Sequence, residues 1–285
     1  MGKKDLSEKK LEDINDVFAD ILNVLLFKEK YLNPYKLLDG AIESIYKAET
    51  GGLKAQCRDT IKYYQNAGIV ISSFGIENQS TIDADMPIRV MGYDYASYRR
   101  QMDTDCYRFP VITVVLNFSD KKWDKPTHLR ELLKIPKGMG EFVQDYEARV
   151  FDIAFLPDEI IGQFHSTFKQ VAHFFSKRKA LDYEPLDEKI DDLGELLDFL
   201  SVFTGDNHYN EIKDILIKRQ KKGESITMCN VVERFTNEGL IKGREEGQSM
   251  LILKMLKKGI PMEEVSNMTD IPVEEILKMK EPIQV

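Results

Sequence analysis

The chain is poor in cysteine, lacks any long apolar run and carries no excess of positive charge. Each shortage closes a class of function. The three cysteines, Cys57, Cys106 and Cys229, lie far apart in 285 residues and leave an odd count. No spacing among them resembles a zinc site or a disulfide framework, so reduced thiols in a cytoplasmic protein are expected. No uninterrupted apolar stretch approaches the ~20 residues of a membrane-spanning helix. Met1-Gly2-Lys3-Lys4-Asp5-Leu6 is charged and has no apolar signal core, and Leu6 stands where a myristoylation signal has Ser or Thr. These features predict a soluble cytoplasmic protein that contacts no membrane. With 40 Lys+Arg against 48 Asp+Glu, the formal net charge is −8. That balance argues against a protein that coats nucleic acid, since coating needs many phosphate-neutralising cations. An enzyme acting on nucleic acid is not excluded, because its site needs only local basic residues.

What is present is the composition of a well-solvated globular protein, 42% hydrophobic and 31% charged. The length suits one large domain, or a core with appendages, at ~150 residues per domain. Residues 10–27 read as an amphipathic helix: Leu11, Ile14, Phe18, Ile21, Leu22 and Leu25 recur at helical spacing, and Asp13, Asp16, Asp20 and Asn23 form a polar stripe. Residues 29–50 carry Asn33-Pro34 and end at Gly51-Gly52, which predicts a loop with a short helical piece. Strand-like runs at 59–65 and 69–79 flank Asn66-Ala67-Gly68, a hairpin turn signal. Pro87 opens a helical pattern over 86–102. The almost wholly apolar run 111–118 predicts a strand buried on both faces. After a Lys-, Pro- and Gly-rich loop to about Gly140, residues 148–156 read as another strand, ended by Pro157.

From Asp158 the period becomes helical, with helices expected near 158–178, 187–203, 208–221 and 227–258 and a short helical pair within 261–280. The expected fold is therefore α/β, a central mixed β-sheet flanked by helices, followed by an all-α C-terminal region. The expected divisions are a core at 1–156, a helical region at 157–237 and a tail at 238–285. The tail repeats glycine at Gly239, Gly243 and Gly247 among charged residues, which suits a soluble helix contact or a connector. The two short helices beyond Gly259 have the layout of a helix-turn-helix. The second begins with Glu274-Glu275, whose charge repels phosphate, so packing or homo-oligomerisation through these helices is expected instead.

The chemistry-bearing segment runs from Asp59 to Glu77-Asn78-Gln79. Glu77 and Gln79 share a strand face because the side-chain period is two. A loop of Ala67-Gly68-Ile69 pairs Asn66 with Val70 and sets Asp59 opposite Glu77. Two facing carboxylates repel unless a cation lies between them, and Mg²⁺ is the natural occupant, with Mn²⁺ as the alternative. Glu77 also ends a strand that is otherwise apolar (Ile69, Val70, Ile71, Phe74, Ile76), where a carboxylate needs a partner. The helix over 86–102 adds Arg89, Tyr98 and Gln101 as candidates for phosphate contact or support, and Asp94, Tyr98 and Gln101 fall on one face. Arg99-Arg100, Lys121-Lys122 and Lys177-Arg178-Lys179 are modest basic spots.

Residues 75–101, GIENQSTIDADMPIRVMGYDYASYRRQ, resemble the central block of the recombination-promoting nuclease / putative transposase family, within the PD-(D/E)XK nuclease superfamily. Phe18-Ala19-Asp20-Ile21-Leu22-Asn23, Arg58-Asp59 and the Gly-repeat tail carry further resemblance. The resemblance implies a PD-(D/E)XK-like core over 1–156 and a Mg²⁺-dependent DNA endonuclease linked to recombination or mobile elements. It implies that Asp59 and Glu77 hold metal, that Asp20 completes the shell with Asp16 as second choice, and that Gln79 orients the attacking water. Gln79 stands where the superfamily usually has Lys, and an amide carries no positive charge to stabilise a phosphorane-like transition state. Two rival readings follow: a non-catalytic DNA-binding or recombination accessory protein on a degraded nuclease fold, and a protein–protein interaction module.

Overall fold

The computed structural model describes residues 11–40, 43–47, 53–57, 59–102, 107–180 and 182–280; Arg58 and Cys106 lie outside them. The chain divides into two compact units, 1–228 and 229–285, so the division falls beyond the change of period at Pro157.

Among the described residues the first unit has seven strands: β1 (Leu37–Asp39), β2 (Glu43–Lys47), β3 (Leu53–Cys57), β4 (Thr60–Asn66), β5 (Ile69–Gln79), β6 (Val111–Asn117) and β7 (Arg149–Asp152). Five of them form one sheet in the order β1-β4-β5-β6-β7, while β2 and β3 pair separately. The sheet is mixed: β1, β4 and β5 run antiparallel, and β5, β6 and β7 parallel. Parallel neighbours need a crossover connection, and the helix α2 (Met86–Met102) supplies it between β5 and β6. β6 is buried on both faces, as its apolar run predicts, with Val114, Val115 and Leu116 wholly inaccessible.

The hairpin turn differs from the sequence expectation and still delivers the expected register. Asn66 pairs with Ile69, not Val70, so the loop holds only two residues. Ala67 and Gly68 both have positive φ, +50° and +78°, which a type I′ turn requires. A β-bulge between Tyr64 and Gln65 then inserts Ile71 without a partner. Beyond the bulge the ladder runs to Thr60↔Ile76, so the next positions are Asp59 and Glu77.

Helices cover the two faces. Ahead of β1 lies α1 (Asn15–Leu22), continued by a π-helical turn through Phe27. The short α3 (Leu129–Leu132) and α4 (Asp158–Ile161) precede α5 (Phe168–Ala180), α6 (Leu193–Thr204) and α7 (His208–Lys221). Met86 and Val90 of α2 pack with Val115 and Ala148 on one face. On the other, Phe118 meets Phe168 and Phe175 of α5 and Phe199 and Phe203 of α6. The helix expected over 158–178 is interrupted because side chains capture backbone donors there: Asp20 accepts from His165 N and Ser166 N, and Ser166 Oγ accepts from Phe168 N. The segment expected as loop and short helix over 29–50 contains, among its described residues, the 3-10 turn Pro34–Lys36 together with β1 and β2.

Lys62 anchors β1. Its side chain is buried, and Nζ donates to Asp39 Oδ1 at 2.5 Å and to the Asp13 carbonyl at 2.6 Å.

The second unit continues α8 (Met228–Lys257), which carries the glycine repeat within one helix, into α9 (Met262–Thr269) and α10 (Val273–Lys280). Ile252, Val265 and Ile276 form its small core, and Asp270 turns between the short helices at φ +56°. Among the described residues no helix is long and apolar enough to cross a membrane.

Candidate active site

Alternation along β5 sorts three consecutive residues onto two faces. Asn78 points toward the segment leading into α1, where its Nδ2 donates to Oε2 of Glu12 at 2.9 Å. Glu77 and Gln79 point toward α2, and Gln79 Nε2 donates to Glu77 Oε1 at 3.2 Å, so the shared face expected from spacing is realised. Asp59, one residue before β4, turns its Oδ2 to accept from Asn78 N at 2.8 Å. β4 begins at Thr60, and the Asp59 carboxylate just ahead of it extends the edge of the ladder by accepting the Asn78 N–H.

Glu77 is 3% exposed, and α2 supplies its partners. Arg89 Nη2 donates to Glu77 Oε1 at 2.5 Å, and Tyr93 OH donates to the same oxygen at 2.9 Å. Arg89 is itself anchored, with Nη1 on Asp83 Oδ2 at 2.8 Å and Nη2 on Tyr93 OH at 3.1 Å. Burial works against the charged guanidinium, but hydrogen bonds to Asp83 and Tyr93 and the charge of Glu77 outweigh it, holding the Arg89 pKa above its ordinary value. Burial first, and then the Glu77 charge, push the Tyr93 phenol well above its usual range. Arg89 is therefore a fixed cation and Tyr93 a fixed hydrogen-bond donor at neutral pH. The helix bearing both is tied down by Asp94, which is buried and accepts from Thr113 Oγ1 of β6 at 2.5 Å and from Tyr146 OH.

The other sequence candidates lie elsewhere. Tyr98 OH accepts from Val111 N at 3.1 Å. Gln101 exchanges two hydrogen bonds with the Phe109 backbone, at 2.9 and 3.2 Å. Both support the entry into β6. Asp20 holds the loop before α5 through its two backbone hydrogen bonds at 2.8 and 2.7 Å. It lines, with Asp16, Asn23, His165, Asp191 and Asp192, a groove of about 1030 Å³ that Asp59 and Glu77 do not line. Among the described residues no three His, Cys, Asp or Glu side chains converge as a ready metal cluster.

Glu12, Asn78 and Tyr93 were not singled out from sequence. Glu12 is wholly buried and reaches Asn78 on the far face of β5 from the first helical segment, four residues before the polar stripe's second member, Asp16. Nothing in the pattern separates it from a surface acid. Tyr93 follows Arg89 by four residues, the spacing that places both on one helical face, and that signal was available.

A hard divalent cation binds through oxygen, and the donors on the α2 face are the Asp59 and Glu77 carboxylates, with Asn78 on the other face of β5. The donor chemistry fits Mg²⁺ or Mn²⁺.

Residues 62–200 match the family model described as putative transposase, YhgA-like. The matched span includes Glu77, Gln79, Arg89 and Tyr93 and begins three residues after Asp59. No curated protein and no solved structure shows a significant match to the chain. Over residues 62–200, just under half of its length, the chain is similar to the YhgA-like putative transposase family.

Proposed function

We propose that the chain is a metal-dependent DNA endonuclease on a PD-(D/E)XK-like core, acting where β4 begins and β5 ends. The observation that carries this reading is the pair Asp59–Glu77. They occupy adjoining positions of two antiparallel strands, and the bulge at Tyr64/Gln65 sets the register that brings them there. Asp59 and Glu77 would hold Mg²⁺ or Mn²⁺. Such an ion lowers the pKa of its bound water and neutralises charge on a phosphate under attack.

The chain's own residues account for the rest. Gln79 has an amide at the Glu77 carboxylate and orients water; it cannot take up a proton. Arg89 supplies from α2 the positive charge that the superfamily's lysine supplies from the strand. Its guanidinium lies on the same acid and is anchored by Asp83. A cation fixed in a partly dry site stabilises developing negative charge without reorganising. Recombination or mobile-element DNA as substrate follows from the family alone.

The accessory reading has one observation in its favour: Arg89 already neutralises Glu77, so the site is electrostatically satisfied as it stands. Incubating the full chain with supercoiled plasmid in Mg²⁺, in Mn²⁺ and in chelator separates the two. Metal-dependent nicking supports the nuclease, and binding without nicking supports the accessory protein.

A further inference from the structure

Two basic spots far apart in sequence, Lys121-Lys122 and Lys177-Arg178-Lys179, meet on one aromatic ring. Lys122 Nζ lies 5.4 Å and Lys179 Nζ 3.1 Å from the centroid of Phe155, so both ammonium groups engage one half-buried ring. They are less than about 9 Å apart, within the ~10 Å Debye length of 0.1 M salt, so their charges reinforce one another. Lys121, Lys122 and Lys179 are exposed.

The loop bearing two of these lysines is built into the sheet. Phe118 N donates to the Gln79 carbonyl at 2.8 Å, joining the loop to β5. Asn117, wholly buried, donates to the Lys121 carbonyl at 2.9 Å and to Asp152 Oδ1 at 2.7 Å, and accepts from Ser119 N at 3.1 Å. Trp123 N donates to the same Asp152 oxygen at 3.0 Å. Gln79, Asn117 and Asp152 are in register across β5, β6 and β7. The lysines are therefore carried on a pinned loop at the carboxyl edge of the parallel strands, the edge at which open α/β sheets bind ligands.

We infer that Lys122 and Lys179, gathered over Phe155, together with the exposed Lys121 next to Lys122 in the chain, form a phosphate-binding patch that holds the DNA backbone beside the Glu77 site. The inference rests on the nuclease reading for its choice of DNA, and deepens it by naming where the substrate is gripped. The patch also shows how a chain of net charge −8 meets a polyanion: by local concentration of cations rather than by its overall balance.

The test is fluorescence anisotropy of a labelled DNA duplex with the full chain in chelator, so that nothing is cut. The wild type is compared with the triple variant Lys121→Ala/Lys122→Ala/Lys179→Ala and with the same three positions changed to Arg. Loss of three phosphate contacts reduces the slope of log K against log salt by about 2.7. Between roughly 50 and 200 mM salt the wild type then loses roughly 40-fold more affinity than the Ala variant. The Arg variant keeps the wild-type slope. Equal slopes for wild type and Ala variant, no DNA binding by the wild type, or preference for an RNA duplex would each overturn the patch. Plasmid nicking runs in parallel. Nicking with an unchanged slope removes the patch and leaves the nuclease, whereas a reduced slope without nicking by the wild type removes the nuclease and leaves the patch.

Discussion

Arg89 and Glu77 form the closest ion pair of the candidate site, with Nη2 and Oε1 2.5 Å apart and the two residues brought together from α2 and β5. The acid is almost fully buried and the arginine side chain is 36% exposed, so the pair is one-sided. Removing the arginine takes the cation from a buried carboxylate that Tyr93 and Gln79 also contact. Arg89→Ala is expected to cost about 1–3 kcal/mol, below the full penalty of a broken buried pair because solvent reaches the guanidinium. A double-mutant cycle with Glu77→Gln should show a coupling of about 1–2 kcal/mol in urea unfolding. Additive effects would mean that the contact contributes nothing specific.

Gln79 touches Glu77 without carrying charge, so its role separates from that of Arg89. Gln79→Ala should cost about 1 kcal/mol, since Nε2 loses a long hydrogen bond to the Glu77 carboxylate at 3.2 Å and one to the Asn78 carbonyl at 2.8 Å. Nicking should slow about ten- to a hundredfold if the amide orients water. Loss of stability comparable to Arg89→Ala, with nicking unchanged, would make it a packing residue.

The Lys62–Asp39 pair is more unequal still: the lysine side chain is 1% exposed and the aspartate 88%. A surface acid is ordinarily dispensable, within about 0.5 kcal/mol. Here its loss strands a buried ammonium on the single carbonyl of Asp13. Asp39→Ala is expected to cost about 1–3 kcal/mol by urea denaturation. A change within the ordinary surface range would show that water replaces the carboxylate at no cost.

Asp192 sits in the acidic groove beside α1. Burial raises its pKa despite the Thr167 hydrogen bond, and Glu195, Asp191 and Asp16 push it further the same way. A carboxyl harder to ionise when folded than when unfolded costs stability above its folded pKa. That cost fades as pH falls through the folded pKa and is gone below the ordinary value of 3.8. Asp192→Asn keeps an acceptor for Thr167 and should raise Tm by about 1–2 °C at neutral pH. The gain should vanish in acid; an equal gain at all pH values would contradict the electrostatic cause.

The parts of this fold that the sequence makes legible are those set by local pattern. The apolar run of β6, the period of α2 and the shared face of Glu77 and Gln79 follow from spacing alone, and the structure carries all three. The register of Asp59 against Glu77 was anticipated by a three-residue loop, but it arises from a two-residue turn plus a bulge. Both routes shift the strand by the same residue, so pattern could not choose between them. Glu12 was invisible because its burial depends on how the first helical segment packs on β5. Asp20 was drawn toward the site by its place in a matched segment, whereas its carboxylate is used by the backbone of His165 and Ser166, 145 and 146 residues away in sequence. The joining of Lys122 and Lys179 over Phe155 likewise exists only in three dimensions.

The most direct test of the account is the initial rate of plasmid nicking in Mg²⁺ by the wild type, Glu77→Gln and Asp59→Asn, with folding of each checked by its unfolding transition. Metal-assisted hydrolysis draws several kcal/mol from the ion, and each 1.36 kcal/mol is tenfold in rate. The account predicts wild-type nicking and a fall of at least about a hundredfold in each folded variant. Nicking that persists in both variants at the wild-type rate would contradict it.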